Sequence, residues 1–237
     1  MPRQRNNHDS TDETETLIPA ATVVLLRDNE SEVEVLMLRK SSKIQFGGMW
    51  VFPGGRIDPG DYKGDSDQNV AARYAAARET QEEAGIVTEP DDFVWFAHWT
   101  PPPDRQRRFS TWFFAARAES GSSVRVDGGE IEDFVWINPN DALTLHGRGE
   151  IDLVPPTWMT LYYLSRRSSV AATLAHFRSQ PRKTYETRIA LQPGGVRVAM
   201  WQGDAGYAES DANADGERHR LVMGPDGFSL ENSIESY

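Results

Sequence analysis

Apolar residues change their spacing along the chain, and the changes mark its elements. Residues 20–26 and 33–38 are dense in Val, Leu and Ala and flank the polar run Arg27-Asp28-Asn29-Glu30, which predicts a hairpin. A loop over 40–49 holds Gly47 and Gly48. Trp50-Val51-Phe52 then reads as a short strand entering the turn Pro53-Gly54-Gly55. Residues 58–68 are polar, with Pro59, Gly60 and Gly64, and predict a loop. The stretch 69–84 is alanine-rich, lacks internal Gly and Pro, and meets Gly85 where a helix C-cap belongs. Strands are predicted over 93–99, 109–117 and 131–137, with Pro101, Pro102 and Pro103 in the first connection. A helix starts at Asn138-Pro139. Beyond Gly149 come two helices, 156–167 and 168–177, and short strands over 184–191, 196–201, 218–223 and 228–231.

These patterns predict an α+β protein in three parts. Residues 1–16 carry almost nothing apolar and cannot offset their ordering entropy, so they form a disordered tail. Residues 17–150 form the main domain. Residues 151–237 form a C-terminal extension of helices and then short strands, packed on the core. The chain has 237 residues, 38% hydrophobic, enough for one sizeable core. Its 36 acidic and 25 basic side chains leave a net charge of −11, which disfavours nucleic acid and anionic membrane as partners. With no cysteine, disulfides, thiolate nucleophiles and Cys-type zinc sites are excluded together. No apolar run approaches a membrane span, and the N-terminus lacks a secretory core, so the expected location is cytoplasmic.

The chemistry concentrates in Arg78-Glu79-Thr80-Gln81-Glu82-Glu83-Ala84-Gly85-Ile86. On a helix, Glu79, Glu82 and Glu83 stand at i, i+3 and i+4 and share one face. Like charges at that spacing repel, and a hard divalent cation would offset the repulsion while bridging to substrate phosphates. Arg78 is placed to orient Glu79. Gly54-Gly55 lets the backbone pass close to a phosphate ahead of the helix. Together they point to metal-assisted attack of water on a phosphoanhydride. The alternative is a solvated acidic helix face. Five such residues at fixed spacing arise by chance in on the order of 10⁻⁴ of chains this long, which favours the functional reading.

Phe52-Pro53-Gly54-Gly55 followed by R-E-T-Q-E-E-A-G-I resembles the Nudix box, G-x5-E-x7-R-E-U-x-E-E-x-G-U, where U is apolar. The second half matches, with Thr80 and Ile86 at the U positions. Asp61 stands where the family has Glu, and nine extra residues separate it from Arg78. The resemblance implies an α/β/α sandwich with a mixed sheet and hydrolysis of a nucleoside diphosphate linked to another moiety. It implies Mg²⁺ or Mn²⁺ on Glu79, Glu82 and Glu83, with the backbone of Gly54 counted among the metal ligands, and a catalytic set of Arg78, Glu79, Glu82 and Glu83. A further carboxylate comes from a later loop in the family, and Glu130 and Glu132 lie where it would be.

Residues 35–39, Gly48 and Phe52-Pro53-Gly54-Gly55 also resemble the motif that precedes the box in coenzyme A-cleaving Nudix enzymes. Met37, Lys40 and Ile44 depart from that motif. Arg107-Arg108-Phe109-Ser110-Thr111-Trp112-Phe113-Phe114 and the widened box resemble the longer branch that includes peroxisomal CoA diphosphatases, although Glu235-Ser236-Tyr237 is not a peroxisomal address.

A polyanionic substrate on an acidic protein needs local cations. Arg39, Lys40, Lys43, Arg105, Arg107 and Arg108 flank the box, and the substrate-binding set is Arg39, Gly54, Gly55, Arg108 and Glu130. Trp50, Trp99 and Trp112 stack an adenine or fill the core, with core expected for at least two. No histidine has metal-site spacing. The expected partner is a small-molecule nucleoside diphosphate derivative, CoA-like first, with ADP-ribose or a dinucleotide as the alternative. A nucleotide-sensing module without catalysis and an acidic scaffold are the rivals. In the extension, Gly203-Asp204-Ala205-Gly206-Tyr207 reads as a tight turn, with closure over substrate or a homodimer interface as the alternative role.

Overall fold

The computed structural model describes residues 17–30, 32–42, 47–103, 107–119, 121–126 and 128–234. The expected tail 1–16, Lys43, Arg105 and the C-terminal tripeptide lie outside them. Strands β1 (Leu17–Asn29) and β2 (Glu32–Lys40) form the expected antiparallel hairpin, with Leu26 opposite Val35. Next come β3 (Trp50–Val51), β4 (Gly54–Arg56), a 3-10 turn at Pro59–Tyr62 and helix α1 (Gln68–Ala84). Then follow β5 (Val94–Thr100), β6 (Arg108–Arg117), β7 (Ile131–Ile137) and helices α2 (Pro139–Gly147), α3 (Pro155–Leu164) and α4 (Val170–Ser179). The chain closes with β8 (Lys183–Glu186), β9 (Arg188–Leu191), β10 (Arg197–Met200), β11 (His219–Gly224) and β12 (Gly227–Asn232).

The main sheet runs β3-β2-β1-β6-β5-β8, with β4 also on β1 and β7 also on β2. Its β1–β6 and β5–β8 pairs are parallel and the rest antiparallel, so it is mixed. Alternation in β1 sends Val23 and Leu25 to one face and Val24 and Leu26 to the other. On the first face lies α1, whose Ala71, Ala72, Ala75 and Ala76 are fully buried. Alanines there let the helix axis come close to the strands. On the second face α3 and α4 pack through Trp158, Leu161, Leu164 and Phe177, the last stacked on Phe96 at 4.4 Å between ring centroids. The chain is therefore the α/β/α sandwich with mixed sheet and β-rich extension that the resemblance implies.

Two expectations need correction. The turn Gly54-Gly55 is strand β4, pairing Thr22 with Gly54 and Ala21 with Gly55. Glycines carry no side-chain alternation, so only the partner strand defines them. The expected strand 184–191 is two strands in two sheets. Thr187 breaks it: its N–H donates to the Thr100 carbonyl, and its Oγ1 accepts from the Trp201 indole. β8 thus extends the main sheet, while β9 begins a second, antiparallel sheet ordered β12-β11-β10-β9. Tyr185 joins the two, stacked on Trp99 at 3.9 Å and edge-on to Trp201 at 5.3 Å.

The loop before β11 is organised by a buried guanidinium. Arg220, 1% exposed, donates through Nε and Nη2 to Asp204 at 2.6 and 2.5 Å and through Nη1 to the Ala212 carbonyl. Asp204 also accepts the N–H groups of Gly206 and His219. Burial alone would raise the Asp204 pKa, yet these donors hold it below its ordinary value. Removing one partner strands the other charge in the core. Asp204→Ala is expected to lower unfolding free energy by about 3–5 kcal/mol, read by urea denaturation. An unchanged midpoint would mean that the loop does not depend on this pair.

Candidate functional site

The site forms where the second half of α1 crosses β4. Gly85, at φ 68°, ends the helix and returns its N–H to the Gln81 carbonyl, which fixes the last turn that carries the acids. Gly55 lets the Glu79 carboxylate of α1 lie on the strand, and Gly54 lets β4 lie close against β1. A Cβ on Gly55 would lie 2.4 Å from the Glu79 carboxyl, and one on Gly54 would lie 2.4 Å from the Ala21 carbonyl oxygen. No larger residue fits either position without moving the strand or the acid.

The three acids have different surroundings. The Glu83 side chain is 6% exposed; it accepts the Gly54 N–H at 2.9 Å and faces Lys40 Nζ at 3.4 Å. Burial pushes its carboxyl up to about 7, against the pull of Lys40 and the Gly54 N–H. Glu79 is also raised by burial, opposed by Arg78. Glu82 is 58% exposed. One guanidinium spans the outer pair: Arg78 Nη1 lies 2.9 Å from Glu79 and 3.1 Å from Glu82. Its other edge grips Asp61 through Nε and Nη2 at 3.1 and 3.0 Å, and Nη2 also donates to the Arg56 carbonyl. The Asp61 side chain, 4% exposed, accepts the Asp58 N–H as well. Arg78 is thus tied down at both ends, chiefly by Asp61, which raises its pKa further.

The other expected residues divide. The Lys40 ammonium is in the site. Arg39 lies beside it on β2, 3.9 and 3.8 Å from Glu132 and Asp133 of β7. Glu130 is brought to the same corner by its carbonyl, which accepts the Ser41 N–H at 2.7 Å, and its own side is exposed. Arg108 goes elsewhere. It donates to the Pro101 carbonyl and lines a cavity of about 160 Å³ with Glu186, Arg188 and Tyr207. Trp99 and Trp112 are buried and Trp50 half-buried, as core. Sequence reasoning missed the Asp61 anchor; its signal was a carboxylate six residues after Gly55, where the motif has one.

The donor set suits a hard divalent cation in kind: carboxylate oxygens on one helix face, one of them buried with its charge incompletely balanced. Among the described residues no three His, Asp or Glu side chains converge at metal-ligand spacing. Arg78 holds Glu79 and Glu82 on one guanidinium nitrogen, while Lys40 and the Gly54 N–H hold Glu83 separately. The helix places the three on neighbouring turns of one face.

Comparison with known proteins agrees with this geometry. The NUDIX domain family model matches residues 16–156, more than half of the chain. Acyl-coenzyme A diphosphatase NUDT19 of Xenopus laevis is 24% identical, over 88% of this chain and 80% of that protein. The crystal structure of a NUDIX hydrolase from Alicyclobacillus acidocaldarius superposes with a TM-score of 0.62 at 23% identity, covering 68% of this chain and 96% of that one. The NUDIX domain of Shewanella oneidensis NrtR, solved with ADP ribose, gives 0.50 at 17% identity, over 73% and 95%. Both structural likenesses concern the fold. The chain belongs to the NUDIX family and is a Nudix hydrolase, an enzyme of diphosphate bonds.

Proposed function

We propose that the chain cleaves the diphosphate of a nucleoside diphosphate linked to a second moiety, with a CoA-like substrate first. The observation that carries the reading is Glu83, a nearly buried carboxylate beside Glu79 and pressed onto the Gly54-Gly55 backbone. A charge held there at such cost is a site for a cation. Support for a CoA-like substrate comes from the Xenopus relative: the likeness covers 88% of this chain, extension included, whereas the family model ends at 156.

Glu79, Glu82 and Glu83 would hold Mg²⁺ or Mn²⁺. When bound, the ion neutralises the diphosphate and lowers the pKa of a water for attack on phosphorus. The chain's own residues do the positioning. Arg78, anchored on Asp61, steadies Glu79 and Glu82. Lys40 balances Glu83 and is a cation within reach of incoming phosphate. Arg39 and Glu130 flank the same corner, and Gly54-Gly55 lets the Glu79 and Glu83 carboxylates lie against the strand. The partner is a small molecule.

The test is a panel of CoA, acyl-CoA, ADP-ribose and diadenosine polyphosphates with Mg²⁺, run on wild type and Glu83→Gln. Turnover of a CoA substrate is expected, falling by about 10²–10³-fold in the variant. Tight nucleotide binding without turnover in either protein would overturn the reading in favour of a sensor. Gly55→Ala, whose new methyl displaces the Glu79 carboxylate, is expected to cost about 100-fold in kcat with the fold intact by circular dichroism.

In chelated protein Glu83 keeps its proton up to about pH 7, while the unfolded chain releases it near the ordinary 4.5. The folded state therefore holds the extra proton within that window, and stability falls as pH rises through it, by about 3 kcal/mol. Above pH 7 the loss is complete and constant. Urea denaturation in EDTA at pH 5 and 8 should show this drop in wild type and a smaller one in Glu83→Gln. Equal drops would place the carboxylate in a wetter setting than its burial indicates.

A further inference from the structure

A cleft of about 410 Å³ lies away from the carboxylates, between α1, the start of β5 and the turn joining α4 to β8. Three guanidiniums border it: Arg73, Arg178 and Arg182. On a chain with 36 acidic residues, none lines this cavity. Arg73 is fixed in place. Its Nε donates to Asn69 and its Nη1 to the Pro90 and Phe93 carbonyls, while its face lies 5.2 Å from the Phe114 ring. Those bonds leave Nη2 undirected toward any described acceptor. Arg182 lies over the Trp95 ring at 4.3 Å, which holds it at the rim. Neither Arg178 nor Arg182 forms an ion pair with a described carboxylate. Arg73 and Arg182 are near enough to repel, and both that repulsion and burial lower the Arg73 pKa; Asp91 and Asp67 act on it from outside the cavity. A fixed guanidinium, a second stacked on indole and a third on the adjoining helix end match the oxygens of a phosphate group.

We propose that this cleft is a second anion site, which binds a phosphate-bearing small molecule through Arg73, Arg178 and Arg182. It is distinct from the hydrolytic site. Arg73 and Glu79 are about 9 Å apart along α1 and point in directions about 120° apart around its axis, so the helix stands between the two. A ligand there does not depend on the catalytic reading.

The full chain, kept in EDTA so that hydrolysis does not intervene, is titrated calorimetrically with inorganic pyrophosphate and with ADP. Wild type and Glu83→Gln are expected to bind at least one of them equally, with affinity that weakens as salt rises. The double variant Arg178→Ala/Arg182→Ala should bind at least about tenfold more weakly. Its changes are confined to exposed side chains, and an unaltered melting temperature without ligand verifies the fold. Equal affinity for the two probes would identify a free inorganic anion as sufficient, and tighter ADP binding a nucleotide. Absence of binding to wild type, or unchanged affinity in the double variant, would overturn the proposal. Loss of binding in Glu83→Gln would do so too, by assigning the anion to the carboxylate site.

Discussion

Helix α1 reaches the sheet only because the strand beneath its last turns has no side chains there. Gly54 and Gly55 are paired with β1 on one side and covered by Glu83 and Glu79 on the other. That close approach has two effects. It removes water from Glu83, raising its pKa, and it supplies one backbone N–H as a fixed dipole toward the same carboxylate. A methyl group on Gly55 would occupy the space of the Glu79 carboxylate and push it off the strand. The alanine face of α1 works with this constraint, because Ala71, Ala72, Ala75 and Ala76 keep the whole helix low on the sheet rather than its end alone.

Three acids on one helix face repel each other, and the chain answers with two internal cations. Arg78 spans Glu79 and Glu82, and Lys40 reaches Glu83 from the end of β2. The two are not equivalent. Arg78 is held by Asp61, by the Arg56 carbonyl and by its own helix, so it has little freedom to leave. Lys40 has a single contact at 3.4 Å, long for a charged pair, and a flexible stem. A cation held by the carboxylates would therefore displace Lys40 more readily than Arg78, leaving the ammonium free to meet an anionic ligand. Asp61 accounts for the widened box: the added residues change the path from β4 to α1, yet a carboxylate six positions after Gly55 still reaches the arginine. The shorter Asp is accommodated by the 3-10 turn at Pro59–Tyr62, which buries it.

What was legible in the chain was local. The i, i+3, i+4 acids, the alanine run and the Gly85 cap are properties of one helix, and the hairpin of β1 and β2 declares itself by alternation around a polar turn. Long-range features left no such mark. β4 has no pattern of its own and exists because β1 pairs with it. The break at Thr187 is invisible because β-favouring residues continue across it while the chain changes sheets. Arg108 sits in a cationic run near the box in sequence, but β6 carries it toward the second sheet. Arg73, Arg178 and Arg182 are up to about a hundred positions apart and meet only once α1 and α4 cover opposite faces near the start of β5.

Net charge makes the placement of cations informative. At −11, the average surface repels phosphates, so binding of a polyanion has to come from local fields that outweigh the distant one. Exposed pairs such as Arg148–Glu150 contribute little, since water and salt screen them. The cations that matter are those without a strong acid partner: Lys40 beside a carboxylate that is itself half neutral near pH 7, and the three arginines around the α1–β5 cleft. Within a Debye length of these cations a small anion feels them more strongly than it feels the distant acidic surface.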